Sequence, residues 1–154
     1  VYLTAVIDWA SRKVLAHRVA ITLEACHAVE VLTEAFNRYG APDIVNTDQG
    51  SQFTATEFAD LVKSRGCLMS MDGRGAWRDN VFVERLWRTV KYEEIYLRAY
   101  DSVLEAKTGI AKHLDWYNRA RPHSSLKTLP GSVRSPRTPD EAYLMLSPAY
   151  RLVA

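Results

Sequence analysis

The stretch Ile44–Phe53 reads IVNTDQGSQF, a short apolar strand pattern that runs directly into a polar turn. Asp48 comes at the end of the strand pattern, and Gly50 follows it within the turn. In open α/β sheets, binding and catalytic sites form at the carboxyl ends of the strands. An aspartate just ahead of a glycine is also a common turn residue. Taken alone, Asp48 is open to both interpretations.

The segments around this stretch alternate between strand and helix patterns. Residues 1–7 and 14–21 predict two strands joined as an antiparallel hairpin. Apolar residues recur at helical spacing over 25–39. Short strands over 43–45 and 67–71 are reached through helices, so they should run parallel to each other. This order predicts a mixed α/β domain.

Two capping boxes and a long amphipathic pattern predict the later helices. Thr54 with Glu57, and Ser102 with Glu105, have the spacing that opens a helix. A long helix is expected over 78–96. These assignments place a compact core in residues 1–120.

The C-terminal part has a different composition. Four of the six prolines lie between Arg121 and Pro139, which predicts an extended arm over residues 121–154 with a short helix from about Pro139. From Lys112 onward there are seven Lys or Arg residues against three Asp or Glu. A basic tail suits a phosphate partner, although charge alone fits a solvated surface equally well.

The predicted long helix carries Glu84 on a polar stripe. At about 100° per residue, the stripe also holds Arg88 and Lys91. An acid among bases on a helix is often only a solvated face with i,i+4 pairs. The opposite face is apolar and consists of Phe82, Val83, Leu86 and Val90.

The spacing of two acids and three short sequence motifs, called words below, resemble those of the DDE superfamily of insertion-sequence transposases and retroviral integrases. Between Asp48 and Glu84 lie 35 residues, which resembles the D-35-E pair of that superfamily. The three words are Thr47–Phe53 (TDQGSQF), Asp79-Asn80-x-x-x-Glu84 with Lys91 seven residues later, and Tyr117-Asn118-x-x-Arg121-x-His123-x-x-Leu126.

The resemblance implies a ribonuclease H-like fold, with a mixed sheet flanked by helices. It implies that Asp48 and Glu84 are catalytic carboxylates and metal ligands, in a site that holds two Mg²⁺ or Mn²⁺ ions in the complete enzyme. It also implies that Arg88, Lys91 and Arg121 contact DNA.

The third carboxylate of the family departs from this pattern. In the family it lies on a strand ahead of the hairpin that opens this chain, so we expect that first strand and its Asp to precede Val1. Asp8 then belongs to the hairpin turn. The alternative, in which Asp8 is itself a metal ligand, stays open.

Two functional hypotheses follow from the resemblance. The first is a polynucleotidyl transferase that cleaves element ends and joins 3′-ends to target DNA, acting as a homo-multimer on DNA. The alternative is an inactive remnant that only binds DNA or pairs with an intact transposase. A housekeeping nuclease of the same fold is disfavoured by the word at 117–126. No run of eighteen apolar residues occurs, so we expect no membrane span. The resemblance implies a DNA-associated bacterial cytoplasmic protein.

Overall fold

The computed structural model describes residues 1–71, 77–126, 138–145 and 150–153. The strands are β1 (Tyr2–Asp8), β2 (Val14–Ala20), β3 (Ile44–Thr47), β4 (Leu68–Met71) and β5 (Tyr150–Val153). The helices are α1 (Ala25–Tyr39), α2 (Ser51–Thr54), α3 (Thr56–Ser64), α4 (Trp77–Glu93), α5 (Val103–Arg119) and α6 (Pro139–Met145). Two 3₁₀ turns cover Ile95–Leu97 and Ser124–Leu126.

The five strands form one mixed sheet in the order β2-β1-β5-β3-β4. β1 and β2 pair antiparallel, which confirms the predicted hairpin. β3 and β4 pair parallel, as their connection through helices predicted. The mixed α/β class is therefore confirmed.

The sequence patterns did not predict the strand at the centre of the sheet. β5 pairs antiparallel with residues 6–8 of β1 and parallel with residues 44–46 of β3. The end of the chain thus joins two strands that are far apart in sequence. A four-residue run has too little periodicity to be recognised as a strand before its partners are known. Residues 127–137, 146–149 and 154 of the predicted arm lie outside the described residues.

Helices cover both faces of the sheet. Successive residues of a strand point to opposite faces, and β1 follows this rule. Val6 packs in a core with α1 and α3, while Ala5 and Ile7 pack in a second core with α4 and α5. β1 is therefore apolar at nearly every position, as expected of a strand buried on both sides.

One of the two predicted capping boxes is confirmed. Ser102 precedes α5, and its side chain accepts a hydrogen bond from the Glu105 backbone N–H at 3.1 Å. The box at Thr54 and Glu57 is wrong, because Thr54 is the last residue of α2 and its hydroxyl donates to the Ser51 carbonyl. The chain turns at Ala55 between two short helices, where a single helix was expected.

Within the described part of the chain, none of the helices combines the length and the apolar character that crossing a membrane requires.

Candidate active site

Asp48 lies immediately after β3, at the carboxyl end of the parallel pair β3 and β4. It is partly exposed, whereas Asn46 and Thr47 before it are buried. Its Oδ1 accepts a 2.7 Å hydrogen bond from the backbone N–H of Gly50. The strand end and this hydrogen bond hold the carboxylate at the position where α/β sheets build their sites.

Gly50 is needed for this geometry because the backbone approaches the carboxylate closely. A Cβ atom at Gly50 would lie 2.8 Å from Asp48 Oδ1 and 2.8 Å from Gln52 Nε2. Both distances are shorter than a carbon–oxygen or carbon–nitrogen contact allows. The glycine of the TDQGSQF word is therefore explained by space around Asp48, since its own backbone has an ordinary negative φ of −58°.

Several buried oxygen atoms around Asp48 have no hydrogen-bond partner among the described residues. They are Asn46 Oδ1, Thr47 Oγ1 and Gln52 Oε1. Buried polar atoms normally find a partner, so unsatisfied oxygens here are informative. Hard divalent cations such as Mg²⁺ prefer oxygen ligands and commonly retain waters that reach further acceptors. The Asp48 carboxylate is therefore the kind of ligand that such an ion prefers, and of Asn46 and Thr47, which point to opposite faces of β3, at most one can join it.

Glu84 lies on the solvent side of α4. Val83, Leu86 and Val90 of the same helix are buried in the core, so the predicted amphipathic pattern is confirmed. The Glu84 carboxylate is exposed, and within the described part of the chain it forms no ion pair or hydrogen bond. A free carboxylate on a rigid helix is available to a ligand.

Of the sequence-predicted site residues, the structure groups three along α4. Glu84, Arg88 and Lys91 line one cavity of about 410 Å³ together with aromatic side chains. Asp48 is on a different element and does not line this cavity. Arg88 also lines a second cavity with Arg121. The structure thus joins the predicted DNA-contacting residues in two neighbouring cavities.

Arg121 is held by an acidic partner. Its Nε donates to Glu93 Oε2 at 3.1 Å and its Nη2 to Glu93 Oε1 at 2.7 Å. This bidentate pair lowers the pKa of Glu93, chiefly through the hydrogen bond from Arg121. The pair fixes the guanidinium at the end of α4, and contact of Arg121 with DNA remains a prediction.

Asp8 is the buried last residue of β1, where the chain enters the β1–β2 turn. Its Oδ2 accepts hydrogen bonds from the backbone N–H of Ser11 at 3.1 Å and from the Ser11 hydroxyl at 2.6 Å. Its backbone carbonyl accepts from Arg12. These bonds support the assignment of Asp8 to the turn.

Sequence reasoning missed the role of Asn118. Its Nδ2 donates to the Val14 carbonyl at 2.8 Å, and its Oδ1 accepts from the Val14 backbone N–H at 2.9 Å. The amide therefore replaces a strand neighbour at the start of β2 and ties the end of α5 to the hairpin. His123 of the same word packs edge-on against Tyr117 at 4.9 Å. Much of the 117–126 word thus has a structural explanation.

Metal-binding side chains come together in threes at one place among the described residues, Glu24, Cys26 and His27. These residues are adjacent in sequence and largely exposed, and none was predicted as a site residue. Among the described residues, neither Asp48 nor Glu84 belongs to a group of three such side chains whose ligand atoms lie within 4.8 Å of one another.

Comparison with known proteins gives consistent relatives. Two models described as "Integrase core domain" match residues 1–76 and 65–130, which together span most of the chain. The transposase of insertion sequence element IS904 from Lactococcus lactis is 30% identical over 128 residues, covering 81% of this chain and 51% of that protein. The InsK protein of IS150 from Escherichia coli is 27% identical over 130 residues, covering 83% and 46%. The chain spans about half the length of these curated relatives.

Solved structures agree on the fold. The catalytic core domain of BIV integrase superposes with a TM-score of 0.69 at 20% identity, covering 93% of this chain and 85% of that one. The HTLV-2 integrase catalytic core in complex with magnesium, in a dimeric form, gives a TM-score of 0.59 at 23% identity, covering 77% and 76%. The ribonuclease H-like fold expectation is confirmed. The chain belongs to the integrase core domain family, with insertion-sequence transposases as its relatives in sequence and retroviral integrase cores as its relatives in fold.

Proposed function

We propose that this chain is the catalytic core of a DNA transposase that cleaves element ends and joins their 3′-ends to target DNA with divalent metal. The observation that carries the proposal is the pair of available carboxylates. Asp48 is fixed at the carboxyl end of β3 by Gly50, and Glu84 is exposed on the solvent side of α4, where no described residue pairs with it. Such carboxylates, 35 residues apart within this fold, fit metal-assisted phosphoryl transfer.

Asp48 and Glu84 would hold Mg²⁺ or Mn²⁺ through carboxylate oxygens. When bound, a pair of such ions activates the attacking hydroxyl and stabilises the leaving 3′-oxygen. The chain's own contribution is positioning. The β3 end and α4 are packed into separate cores, and Arg88 and Lys91 beside Glu84 hold the phosphodiester backbone by charge. Arg121 adds a further cation that Glu93 keeps in place.

A second candidate function rests on the carboxylate count. Among the described residues, neither Asp48 nor Glu84 belongs to a group of three metal-binding side chains, and Asp8 is engaged with Ser11. On this reading the chain by itself binds DNA or pairs with an intact transposase without cutting. The two candidates differ in activity and agree on DNA binding.

The relatives also support proposals about assembly and location. The HTLV-2 neighbour is described in dimeric and trimeric forms, which supports a homo-multimer for this chain on DNA. The relative from Lactococcus lactis is named as a transposase of an insertion sequence element. If this chain acts in the same way, it is a DNA-associated protein of the bacterial cytoplasm. Division into a core over 1–120 and an arm over 121–154 remains part of the proposal.

The metal site is tested directly by titrating Mn²⁺ into the chain and following the free ion by electron paramagnetic resonance. Asp48→Asn and Glu84→Gln should each weaken Mn²⁺ binding roughly tenfold or more, because each amide keeps the shape and removes the charge. Asp43→Asn and Glu57→Gln, which alter exposed acids on β3's approach and on α3, should bind as the parent chain does. Unchanged Mn²⁺ binding in both site variants would exclude this pair as ligands.

Activity is tested by gel-resolved cleavage of a labelled element end. The chain alone should not nick or join DNA with Mg²⁺, whereas a longer product that adds a strand with a further Asp ahead of Val1 should. Glu84→Gln should abolish that activity. If the chain alone cuts DNA and Asp8→Asn stops it, Asp8 is the third ligand. If the longer product binds DNA and never cuts it, the binding-only function is correct.

A further inference from the structure

A cavity of about 760 Å³ lies between the β1–β2 turn, α4 and the segment after α5. Four arginines from three parts of the chain line it, together with one glutamate. They are Arg12 from the turn, Arg85 and Arg88 from α4, Arg121 from the segment after α5, and Glu93. Like charges brought together in this way repel one another, and an anion in the cavity would offset that repulsion.

The glutamate does not neutralise the cavity. Both Glu93 oxygens are engaged by Arg121. Within the described residues, Arg12, Arg85 and Arg88 have no carboxylate within ion-pair distance. The lining therefore keeps three positive charges that form no ion pair with these residues, although the carboxylate of Asp8 raises the pKa of Arg12.

Both the backbone conformation and the burial of Arg12 are unfavourable for a charged arginine. Its φ of 67° lies in the left-handed region, where the described chain otherwise places only glycines. Burial lowers the pKa of Arg12 to about 10, and nearby Arg85 lowers it as well. The guanidinium still carries its charge at neutral pH, and it lies 3.4 Å from the centre of the Phe82 ring. A glycine would relieve the backbone and the desolvation, so an arginine here has a cost, which the contact with Phe82 and a bound anion would offset.

Several other lining groups are neutral and can donate hydrogen bonds. Burial, then Arg121 and Arg12, lower the pKa of His123 to about 4, so the imidazole is uncharged at neutral pH. Ser124, Ser125 and Thr89 supply hydroxyls. Cations and hydroxyls without a free carboxylate suit a phosphate group, which guanidinium groups can bind through two oxygens.

The cavity adjoins Glu84 on α4. Arg88 and Tyr92 line both this cavity and the smaller one that contains Glu84 and Lys91. Glu84 and Arg88 are separated by about 6 Å along the helix axis. A phosphate bound by the arginines would therefore belong to a strand that passes Glu84.

We infer that this arginine-lined cavity binds a phosphodiester group of a DNA strand and positions that strand beside Glu84. Arg12 and Arg85 are then positioning residues, since they hold the strand without touching the reacting atoms. The inference rests on the proposed function, because that function makes DNA the ligand.

The test is fluorescence-anisotropy titration of a labelled DNA duplex at about 50 and about 200 mM salt. The variant is Arg12→Gly with Arg85→Gln, in which the glycine removes charge while relieving the left-handed backbone. The matched control is Arg119→Gln, an exposed arginine of α5 that pairs with Asp115. A thermal-unfolding curve confirms that each variant is folded. The double variant should bind roughly tenfold more weakly and lose about two units of salt slope, and the control should bind as the parent.

Two comparisons separate this inference from the proposed function. Lys91→Gln reports on DNA held beside Glu84, so a loss there with normal binding by the double variant overturns the cavity and leaves the function standing. Inorganic pyrophosphate, followed through the Nε signals of arginine by nuclear magnetic resonance, reports on the cavity alone. If pyrophosphate shifts Arg12 and Arg85 while the parent chain shows no salt-dependent DNA binding, the cavity is a free-anion site. That result overturns both the strand-positioning inference and the function.

Discussion

The backbone N–H of Gly50 donates a 2.7 Å hydrogen bond to Asp48 Oδ1, two residues earlier in the chain. This bond leaves Asp48 Oδ2 without a hydrogen bond among the described residues. One carboxylate oxygen is therefore anchored while the other is available to a ligand. Since a Cβ at Gly50 would meet Oδ1 at 2.8 Å, the anchor depends on the absence of a side chain.

Gly50→Ala should displace the Asp48 carboxylate and weaken Mn²⁺ binding by roughly tenfold, the usual effect of disturbing a group that orients a metal ligand. Stability should change by less than about 1 kcal/mol, because the backbone φ at Gly50 suits alanine. Mn²⁺ titration and urea unfolding measure the two effects. Ser51→Ala, at the exposed neighbouring position, is the control. A Gly50→Ala chain that binds Mn²⁺ normally would show that Asp48 is not a ligand or does not need this anchor.

Asn118→Ala should destabilise the fold by about 2 kcal/mol, because it removes both hydrogen bonds to the Val14 backbone. The midpoint of urea unfolding measures the loss. Amide exchange of Val14 should accelerate at the same time, whereas Arg119→Ala, one position along and exposed, should leave both unchanged. Equal stability of Asn118→Ala and the parent would mean that the 117–126 word serves the ligand rather than the fold.

The Glu93–Arg121 pair should make stability depend on pH. The pKa of Glu93 is lowered in the folded state from 4.5, so the unfolded chain binds more protons as the solution becomes acidic. The stabilisation is complete above pH 4.5 and is lost as the pH falls through the lower folded pKa. Arg121→Gln should cost on the order of 1 kcal/mol at neutral pH. The difference in unfolding free energy between this variant and the parent should shrink below pH 4.5. A difference that stays constant down to strong acid would mean that the pair is not the source of it.

Gly109→Ala tests two opposing effects within α5. Alanine favours a helix interior by about 1 kcal/mol over glycine. A Cβ at Gly109 would, however, lie 2.7 Å from Tyr100 Oη and 2.9 Å from Glu94 Oε1, two atoms already joined by a 2.6 Å hydrogen bond. We expect the steric effect to dominate and the melting temperature to fall. Combining it with Tyr100→Phe, which removes that hydroxyl, should give back part of the loss. A higher melting temperature for Gly109→Ala alone would show that the Tyr100 ring moves aside freely.

Local features of the chain were predictable because their causes are local. Helix α4 could be predicted because apolar residues recur there at helical spacing. Three of them, Val83, Leu86 and Val90, are buried. The opening hairpin follows from two β-prone runs around a five-residue turn, and the Ser102 cap from its spacing to Glu105. The cap at Thr54 failed because Thr54 is the last residue of α2, where its hydroxyl donates to the Ser51 carbonyl. Asp48 and Glu84 could be singled out together only by resemblance, since each has an ordinary local explanation.

The sequence by itself determined the elements, the mixed class and the candidate acids Asp48 and Glu84. Only the tertiary structure decided which distant groups meet: the Asn118 amide with the Val14 backbone 104 positions away, β5 between β1 and β3, and arginines from three segments in one cavity. Periodicity and caps act within a few residues, where the chain's own geometry fixes the neighbours. Contacts across the fold depend on how whole faces of helices and strands pack. The residues that decide this packing lie on two segments that are far apart in sequence.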